Sequence, residues 1–238
     1  MKIWYNIFII LQGGFFNMAQ NKIYAVAKGK NPGVYASWDE CKEQVNGYPG
    51  AIYRSFSGVD AFEEAEQYLE DFDTQEDSRK DIVKDAQLSI AELEAKYSTP
   101  KVAISFVDGS FYEPLNRYSF GGLLIHNGTT EEFSDSGNDE DLVSMRNVAG
   151  EILGATKAME LAIENNIEEL NIFYDYEGIE KWCTGAWKTN KEGTRRYKEY
   201  YDSIKDKLKV NFVKVKGHTG VELNEKVDKL AKAALGLI

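Results

Sequence analysis

The chain has 238 residues, of which 43% are hydrophobic, so it is long enough for two small domains with buried cores and a connecting segment. Its two cysteines, Cys41 and Cys183, lie far apart and show no metal-ligand spacing. This usage excludes a disulfide-stapled scaffold and a cysteine-based zinc site, and it predicts a reducing, cytoplasmic compartment.

The charge is acidic overall but unevenly distributed. The formal net charge is −11, which by itself argues against a polyanionic partner. Residues 60–95 hold thirteen acids and three bases, however, and account for most of that excess. Residues 181–232 hold fourteen bases and seven acids, and the first 59 residues hold six bases and three acids. Two basic segments therefore flank an acidic spacer, and the average charge hides them.

The first residues carry a short apolar stretch, from Ile3 to Leu11, behind a single Lys2. It is too short to span a bilayer and lacks an Ala-x-Ala cleavage site, so we expect neither a membrane segment nor a signal peptide. A purine-rich ribosome-binding sequence could encode Gln12-Gly-Gly a few codons before Met18. We therefore predict that the natural start is Met18, and that residues 1–21 are a non-native leader or disordered.

Residues 22–72 predict a small β-β-α-β-α domain. The signals in chain order are a turn at Asn31-Pro-Gly between two short strands, a capping box of Ser37 with Glu40 for a helix ending near Gly47, a third strand over 51–56, and a second helix from Asp60 to about Phe72.

Basic and aromatic residues alternate in this small domain. Lys28, Lys30 and Arg54 are interleaved with Trp38 and Tyr53. That mixture can neutralise phosphates and stack on sugars or bases. The alternative is that the two aromatic residues simply form the core of a small domain. Residues 73–99 then form an acidic linker with few glycines, whose composition fits either a partly helical or a disordered connector.

Residues 100–238 alternate between apolar strands and amphipathic helices, which predicts an α/β (mixed α+β) domain. The predicted elements are strands over 101–107 and 118–127, an acidic loop, a helix opening at Glu151, strands over 169–174 and 210–216, and a final helix with Val227, Leu230, Ala231 and Ala234 on its buried stripe. Gly121-Gly122 predicts a bulge or a close backbone approach.

Four carboxylates lie at positions along the chain that predict one shared site. Asp108 and Asp175 each end a predicted strand, Glu151 opens a helix, and Asp228 lies on the last helix. Each has an ordinary explanation alone, as a turn, a loop, a helix-dipole or a solvated helix residue. Together they would repel one another unless a cation lay among them. Oxygen ligands without a histidine or cysteine cluster favour Mg²⁺, with Mn²⁺ as the alternative.

These motifs resemble a known family. The order Asp108-Gly-Ser, helical Glu151, strand-end Asp175, Gly217-His-Thr-Gly and Asn224-Glu-x-x-Asp is similar to type 1 ribonuclease H over about residues 100–236. The domain of residues 22–72 resembles the hybrid-binding, viroplasmin-like module. The resemblance implies a ribonuclease H-like fold, with a mixed five-stranded sheet flanked by helices.

The resemblance also implies roles for residues of the C-terminal domain. Two Mg²⁺ ions would be held by the four carboxylates, and His218 would assist proton transfer or product release. The substrate would be contacted by Gly109, Ser110, Asn147 and Asn224. Arg146 and Val148 depart from the Thr and the Gln or Asn common in the family, which leaves the strand contacts there undefined.

In the N-terminal module the resemblance places Trp38 and Tyr53 on the DNA strand, while the protein backbone and basic groups meet hydroxyl groups of the RNA. Lys28, Lys30 and Arg54 are the basic residues expected to bind the substrate. Ser55 stands where many relatives carry another basic residue, so we expect weaker affinity. Residues 178–206 match the place of a basic substrate-gripping protrusion; the alternative is a solvated helical pair, with Trp182 in the core in either case.

The implied activity is endonucleolytic hydrolysis of the RNA strand of RNA–DNA hybrids, leaving 5′-phosphate and 3′-hydroxyl ends. The implied partner is the hybrid, with weaker binding of double-stranded RNA. Two alternatives remain: a non-catalytic binder of hybrids or double-stranded RNA, and another nuclease of the same fold that acts on DNA.

Overall fold

The computed structural model describes residues 22–215 and 222–238. The predictions for residues 1–21, for the start at Met18 and for the loop that contains His218 lie outside the described residues. The chain divides into two compact units, Met1–Ser78 and Arg79–Ile238. In the described ranges, no helix has both the length and the apolar character needed to cross a membrane.

The N-terminal unit is a three-stranded antiparallel sheet with helices. Its elements are β1 (Ile23–Lys28), β2 (Gly33–Tyr35), α1 (Trp38–Val45), β3 (Ile52–Phe56) and α2 (Ala61–Asp85), with strand order β2-β1-β3. The predicted β-β-α-β-α order is confirmed. So is the capping box, because the Ser37 hydroxyl accepts from the Glu40 N–H at 3.3 Å and the Glu40 carboxylate accepts from the Ser37 N–H at 3.1 Å.

Helix α2 continues well past Phe72, where the sequence predicted its end. No glycine or proline interrupts Ala61–Asp85, and nearby polar side chains support it, as where Gln67 donates to Asp71 at 2.9 Å. Its acidic residues are exposed except Asp85, which is buried. The segment that composition marked as an acidic spacer is rich in Glu, Asp, Lys and Gln and has no glycine or proline, so a helix can continue through it.

The second unit contains a five-stranded mixed sheet flanked by helices, which confirms the predicted fold class. Its elements are α3 (Ile90–Lys96), β4 (Val102–Tyr112), β5 (Arg117–His126), β6 (Thr129–Gly137), α4 (Glu140–Val143), α5 (Asn147–Glu164), β7 (Glu169–Tyr174), α6 (Gly178–Cys183), α7 (Glu192–Ile204), β8 (Lys209–Lys214) and α8 (Glu222–Ala234). The strand order is β6-β5-β4-β7-β8, with β5 antiparallel to both β4 and β6, and with β4, β7 and β8 parallel.

Three local features differ from the sequence-based expectation. The predicted acidic loop contains the edge strand β6, in which only Phe133 is buried, so the strand lacks an apolar signature. Strand β4 runs on through Asp108 rather than ending there. Helix α5 begins at Asn147, one turn before Glu151, after an Arg146 with φ +57°.

Helices cover both faces of the sheet. Helices α5 and α7 pack on one face, around buried residues such as Met159 and Tyr197. The other face, with Phe106 and Phe173 stacked at 4.6 Å, is covered by α8 and by α3. Helices α5 and α8 both pack against β4 and β5, from opposite faces of the sheet.

The C-terminal half of the acidic linker packs against this sheet. Leu93 is fully buried in the core that α3 shares with the sheet. The Tyr97 hydroxyl donates to Asp85 at 2.6 Å, and Lys96 donates to the same carboxylate at 2.6 Å. Thr130 on β6 donates to Glu94 at 2.7 Å. Of the two behaviours that composition left open, this segment is helical and docked.

Candidate active site

The first two carboxylates come from neighbouring parallel strands. Asp108 lies on β4, and Asp175 directly follows β7. The parallel register pairs Phe106 with Phe173 two residues earlier on each strand. The backbone register therefore brings Asp108 and Asp175 together without any loop rearrangement.

Two glycines let the third carboxylate approach. A Cβ atom at Gly109 would overlap the Asn147 carbonyl and the Glu151 N–H, and one at Gly150 would overlap the Ser119 carbonyl. The first turns of α5 thus lie directly against β4 and β5. This contact carries Glu151 to the side of Asp108, where the sequence had predicted it from the order of the motifs.

The three carboxylates form a compact group, which we call the acidic trio: Asp108, Glu151 and Asp175. One oxygen of each lies within 4.8 Å of the others. Glu151 is 2% exposed, and its Oε2 atom has no hydrogen-bond partner. The Asp108 carboxylate accepts from the Gly109 N–H at 2.8 Å.

The electrostatics of the trio fit a bound cation. The pKa of Asp108 is raised to about 6, mainly by burial and then by the charge of Asp175, with a smaller contribution from Asp228. Burial likewise raises the pKa of Glu151 well above its ordinary value, with Asp108 and Asp175 adding to the effect. An unpartnered buried carboxylate oxygen beside two more carboxylates offers a hard, anionic donor set, which suits a divalent ion.

The fourth predicted carboxylate lies beside the trio but outside it. Asp228 on α8 accepts from Lys232 at 2.7 Å. Its charge nevertheless reaches Asp108, whose pKa it helps to raise. The structure brings three of the four acids together, and the role of Asp228 as a metal ligand stays a prediction.

Helix α8 is held close to β5 by the backbone. A Cβ atom at Gly121 would overlap the Val227 carbonyl and the Ala231 N–H, so the close approach predicted at Gly121-Gly122 is present. The buried Ser119 hydroxyl also donates to the Ala231 carbonyl at 2.6 Å. Because Gly121 pairs with Asp108 across the strands, this packing brings Asp228 toward the trio.

The other predicted site residues surround this group to different extents. Gly109 and Ser110 continue β4, Asn147 is exposed at the start of α5, and Asn224 is partly buried on α8. Arg146 lies 5.2 Å over the ring of Phe111 and 3.3 Å from Glu113. His218 lies outside the described residues, so its role stays a prediction.

The N-terminal unit presents an exposed row of rings, the aromatic ladder: Tyr24, Trp38 and Tyr53. Trp38 is 40% exposed and Tyr53 46%, with ring centroids 5.6 Å apart. The half-buried ring of Tyr24 lies 5.7 Å from that of Trp38 in a tilted orientation. The exposure contradicts the alternative that Trp38 and Tyr53 form the core. Tyr24 was not among the predicted binding residues. Neighbouring side chains of a strand point to opposite faces, so Tyr24 lies on the face opposite the buried Ala25.

The basic residues of this unit separate onto different sides. Lys28 and Lys30 are exposed. Arg54 pairs with Ala25 across the strands, on the face that α2 covers, and its guanidinium lies 5.3 Å over Phe56. Arg54 therefore shares a sheet face with the small core and not with Tyr53.

The basic segment over 178–206 forms helices whose charges are largely paired. Arg196 contacts Glu192 at 2.9 Å and Asp141 at 2.9 Å. Trp182 is buried, as predicted, while Trp187 is 38% exposed with Lys181 at 4.9 Å over its ring. The geometry matches a packed helical pair, and the substrate-gripping role stays a prediction.

Comparisons with known proteins match both units. A family model described as the ribonuclease H1 N-terminal domain matches residues 22–69, and the RNase H family model matches residues 100–236. Human ribonuclease H1 is 26% identical over 88% of this chain and 87% of the human protein. Ribonuclease H of Mesorhizobium japonicum is 30% identical over 55% of this chain and 76% of that protein.

Two further matches are more limited. Saccharomyces cerevisiae ribonuclease H is 48% identical over 50 residues, which are 21% of this chain and only 14% of the yeast protein. The crystal structure of RNase H1 from Halobacterium salinarum NRC-1 aligns with a TM-score of 0.47 and 24% identity, over 57% of this chain and 98% of that one.

Proposed function

The chain belongs to the ribonuclease H family, and from that premise we propose that it hydrolyses the RNA strand of RNA–DNA hybrids endonucleolytically. The products would carry 5′-phosphate and 3′-hydroxyl ends. The observation that supports this proposal most directly is the acidic trio, with its buried and unpartnered Glu151 oxygen. A binder without catalytic function would gain nothing from concentrating three repelling carboxylates.

We assign the trio to divalent metal ions, with two Mg²⁺ ions per site and Mn²⁺ as the alternative. Asp108, Glu151 and Asp175 would hold them, and Asp228 would complete the set. Such ions stabilise charge that develops on phosphate oxygens and lower the pKa of water, which is the chemistry that phosphodiester hydrolysis needs.

The chain's own residues position and shield that chemistry. Asp108 is fixed on a central strand, and Glu151 is held by the close contact of α5 with Gly109, so neither carboxylate depends on a loop. Exposed groups around the trio would contact the hybrid: the Gly109 backbone, Ser110, Asn147 and Asn224. His218 would hold or move a proton near the scissile phosphate.

The N-terminal unit would bind the same substrate. The aromatic ladder offers ring faces for sugars or bases of the DNA strand, while Lys28 and Lys30 would neutralise phosphates. Arg54, which lies on the other sheet face, would reach only the edge of that surface. We expect weaker binding to double-stranded RNA.

The test is a cleavage assay on labelled hybrid, duplex DNA and duplex RNA, each with Mg²⁺ and with EDTA. We expect cleavage of the RNA strand of the hybrid alone, and only with the metal. Binding without cleavage would support the non-catalytic alternative. Cleavage of duplex DNA at a comparable rate would support a DNA-acting nuclease of this fold.

The sharpest variant for this assay is Asp108→Asn, which keeps the shape of the side chain and removes its charge. We expect cleavage to fall by at least about 100-fold, because a direct metal ligand is lost, while hybrid binding is retained. Asp135→Asn makes the same change on the exposed strand β6 and should cleave at the wild-type rate. Wild-type cleavage by Asp108→Asn would refute the assignment of the trio.

A further inference from the structure

Lys232 forms a hydrogen bond with Asp228, the fourth carboxylate of the proposed metal site. Its ammonium group donates to Asp228 Oδ2 at 2.7 Å, one helical turn along α8. The two side chains are 43% and 28% exposed, so the pair lies at the rim of the site and is only partly shielded from water. No oxygen of Asp228 joins the group of carboxylate atoms within 4.8 Å.

The helix backbone is fixed, so the orientation of Asp228 depends on its side-chain partner. Contacts of Gly121 with Val227 and Ala231, and the Ser119 hydrogen bond, hold this part of α8 against β5. These contacts fix the position of the Asp228 backbone relative to β5. The Asp228 side chain can turn about its own bonds, and Lys232 is its hydrogen-bond partner in the described chain.

We propose that Lys232 is a positioning residue that competes with divalent metal for Asp228 and thereby weakens the metal centre. This inference rests on the proposed function of the acidic trio. In the metal-free protein the ammonium group compensates the charge of Asp228. When metal binds, Asp228 must exchange this partner for the ion, and Lys232 must turn into solvent or toward a substrate phosphate.

The test is calorimetric titration of Mn²⁺ into the full-length protein without nucleic acid. We expect Lys232→Met to lower the dissociation constant about three- to tenfold, because the partner that competes for Asp228 is removed. Lys232→Arg keeps a charged partner for Asp228 and should bind Mn²⁺ with nearly the wild-type affinity.

The matched control is Lys229→Met, which removes the same charge from an exposed position of the same helix. It should change the dissociation constant by less than about twofold, since screened surface charges contribute little. In an Asp228→Asn background, Lys232→Met should have no further effect. Thermal unfolding of each variant without metal verifies that all of them fold.

Equal effects of Lys232→Met and Lys229→Met would overturn the proposal, as would an effect of Lys232→Met that persists in the Asp228→Asn background. Absence of Mn²⁺ binding to the wild-type protein would overturn both this inference and the metal site. If the expected affinities are found but hybrids are not cut, only the proposed function fails.

Discussion

Glu151 and Asp108 are carboxyl groups in an environment that opposes their ionisation. Both carboxyl groups have raised pKa values because they are buried and because other carboxylates lie close to them. Such groups reduce the stability of the free protein. A bound cation would favour the ionised carboxylates and would compensate the free energy of unfolding that the metal-free protein loses.

This arrangement predicts how the metal-free protein responds to pH. The pKa of Asp108 rises from 3.8 to about 6 on folding, so between these values the folded state retains a proton that the unfolded chain has lost. Stability should therefore fall as the pH rises through this window, by about 1–3 kcal/mol, and remain lower above it.

Thermal unfolding in EDTA at about pH 5 and about pH 7 measures this dependence. Asp108→Asn should reduce it, leaving the contribution of the buried Glu151, and should raise the melting temperature at the higher pH. Added Mg²⁺ should stabilise the wild-type protein more than the variant. The same pH dependence in both proteins would show that Asp108 does not carry the raised pKa.

Gly109 is a second residue whose effect can be predicted from geometry. In Gly109→Ala the methyl group would overlap the backbone oxygen of Asn147 and the backbone nitrogen of Glu151. Backbone atoms cannot move aside as the end of a flexible side chain can. We expect α5 to separate from β4, with a loss of stability of about 1–3 kcal/mol and a loss of most cleavage activity.

The control for this variant is Gly154→Ala on the same helix, where a Cβ atom would lie 3.4 Å from side-chain atoms of Phe120 and Val107. This is ordinary contact, and alanine also favours the helix, so little change is expected. Chemical denaturation and the hybrid cleavage assay measure the two effects. Full activity of Gly109→Ala would mean that α5 can reach the site by another packing.

At the scale of elements, α3 is the part of the linker that belongs to the core of the second unit. Leu93 is fully buried, and the hydroxyl of Tyr97 is bound to the buried Asp85. Helix α3 covers a region of the sheet that α8 leaves uncovered. A fragment that begins near Thr99 would therefore expose apolar surface of Ile104 and Ile125.

We expect Leu93→Ala to destabilise the protein by about 2–5 kcal/mol, because a buried leucine leaves a cavity when it is truncated. Val83→Ala, at a position that is 48% exposed on α2, should change the stability by less than about 0.5 kcal/mol. Denaturant unfolding measures both. Equal small effects would show that α3 is not docked in solution.

The same packing predicts the behaviour of fragments. A fragment starting at residue 79 should fold and cut hybrids. A fragment starting at residue 99 contains the whole acidic trio but lacks α3, so its free energy of unfolding should be lower, by up to about 5 kcal/mol. Melting temperatures and cleavage at low temperature distinguish lost stability from lost chemistry. Identical melting temperatures would contradict the contribution of α3.

At the scale of the whole molecule, the proposed function assigns binding and cleavage to different units of the chain. The aromatic ladder lies in the N-terminal unit and the acidic trio in the second. Two weak binding surfaces on one chain raise the effective concentration of a shared substrate. The N-terminal unit should therefore matter most on long hybrids, which offer room for both.

Trp38→Ala should weaken binding of long hybrids by about 1–3 kcal/mol, because it removes the central ring of the ladder. The deficit should grow with salt, because phosphate contacts weaken and stacking must supply more of the affinity. Phe62→Ala, which removes a comparably exposed ring from α2, is the control. Wild-type binding by Trp38→Ala at every salt concentration would give the N-terminal unit another purpose.

Local sequence signals predicted most of the elements in their order, and they predicted the three acids that meet at the site. Asp108, Glu151 and Asp175 were predicted from their places relative to apolar strands and a helix, because strand register and chain order fix which strand ends meet. The capping box at Ser37 was equally local, since it depends on residues three positions apart.

Features that depend on packing against another element could not be predicted from local sequence and became visible only in the folded chain. Strand β6 has one buried apolar side chain and is a strand because β5 pairs with it. The acidic segment containing Leu93 became a docked helix because the sheet offered an uncovered apolar region. Arg54 and Asp228 were assigned from the motifs that contain them. In the structure Arg54 lies on the sheet face that α2 covers, and Asp228 is hydrogen-bonded to Lys232. Composition gives the chemistry of a side chain, and packing gives its direction.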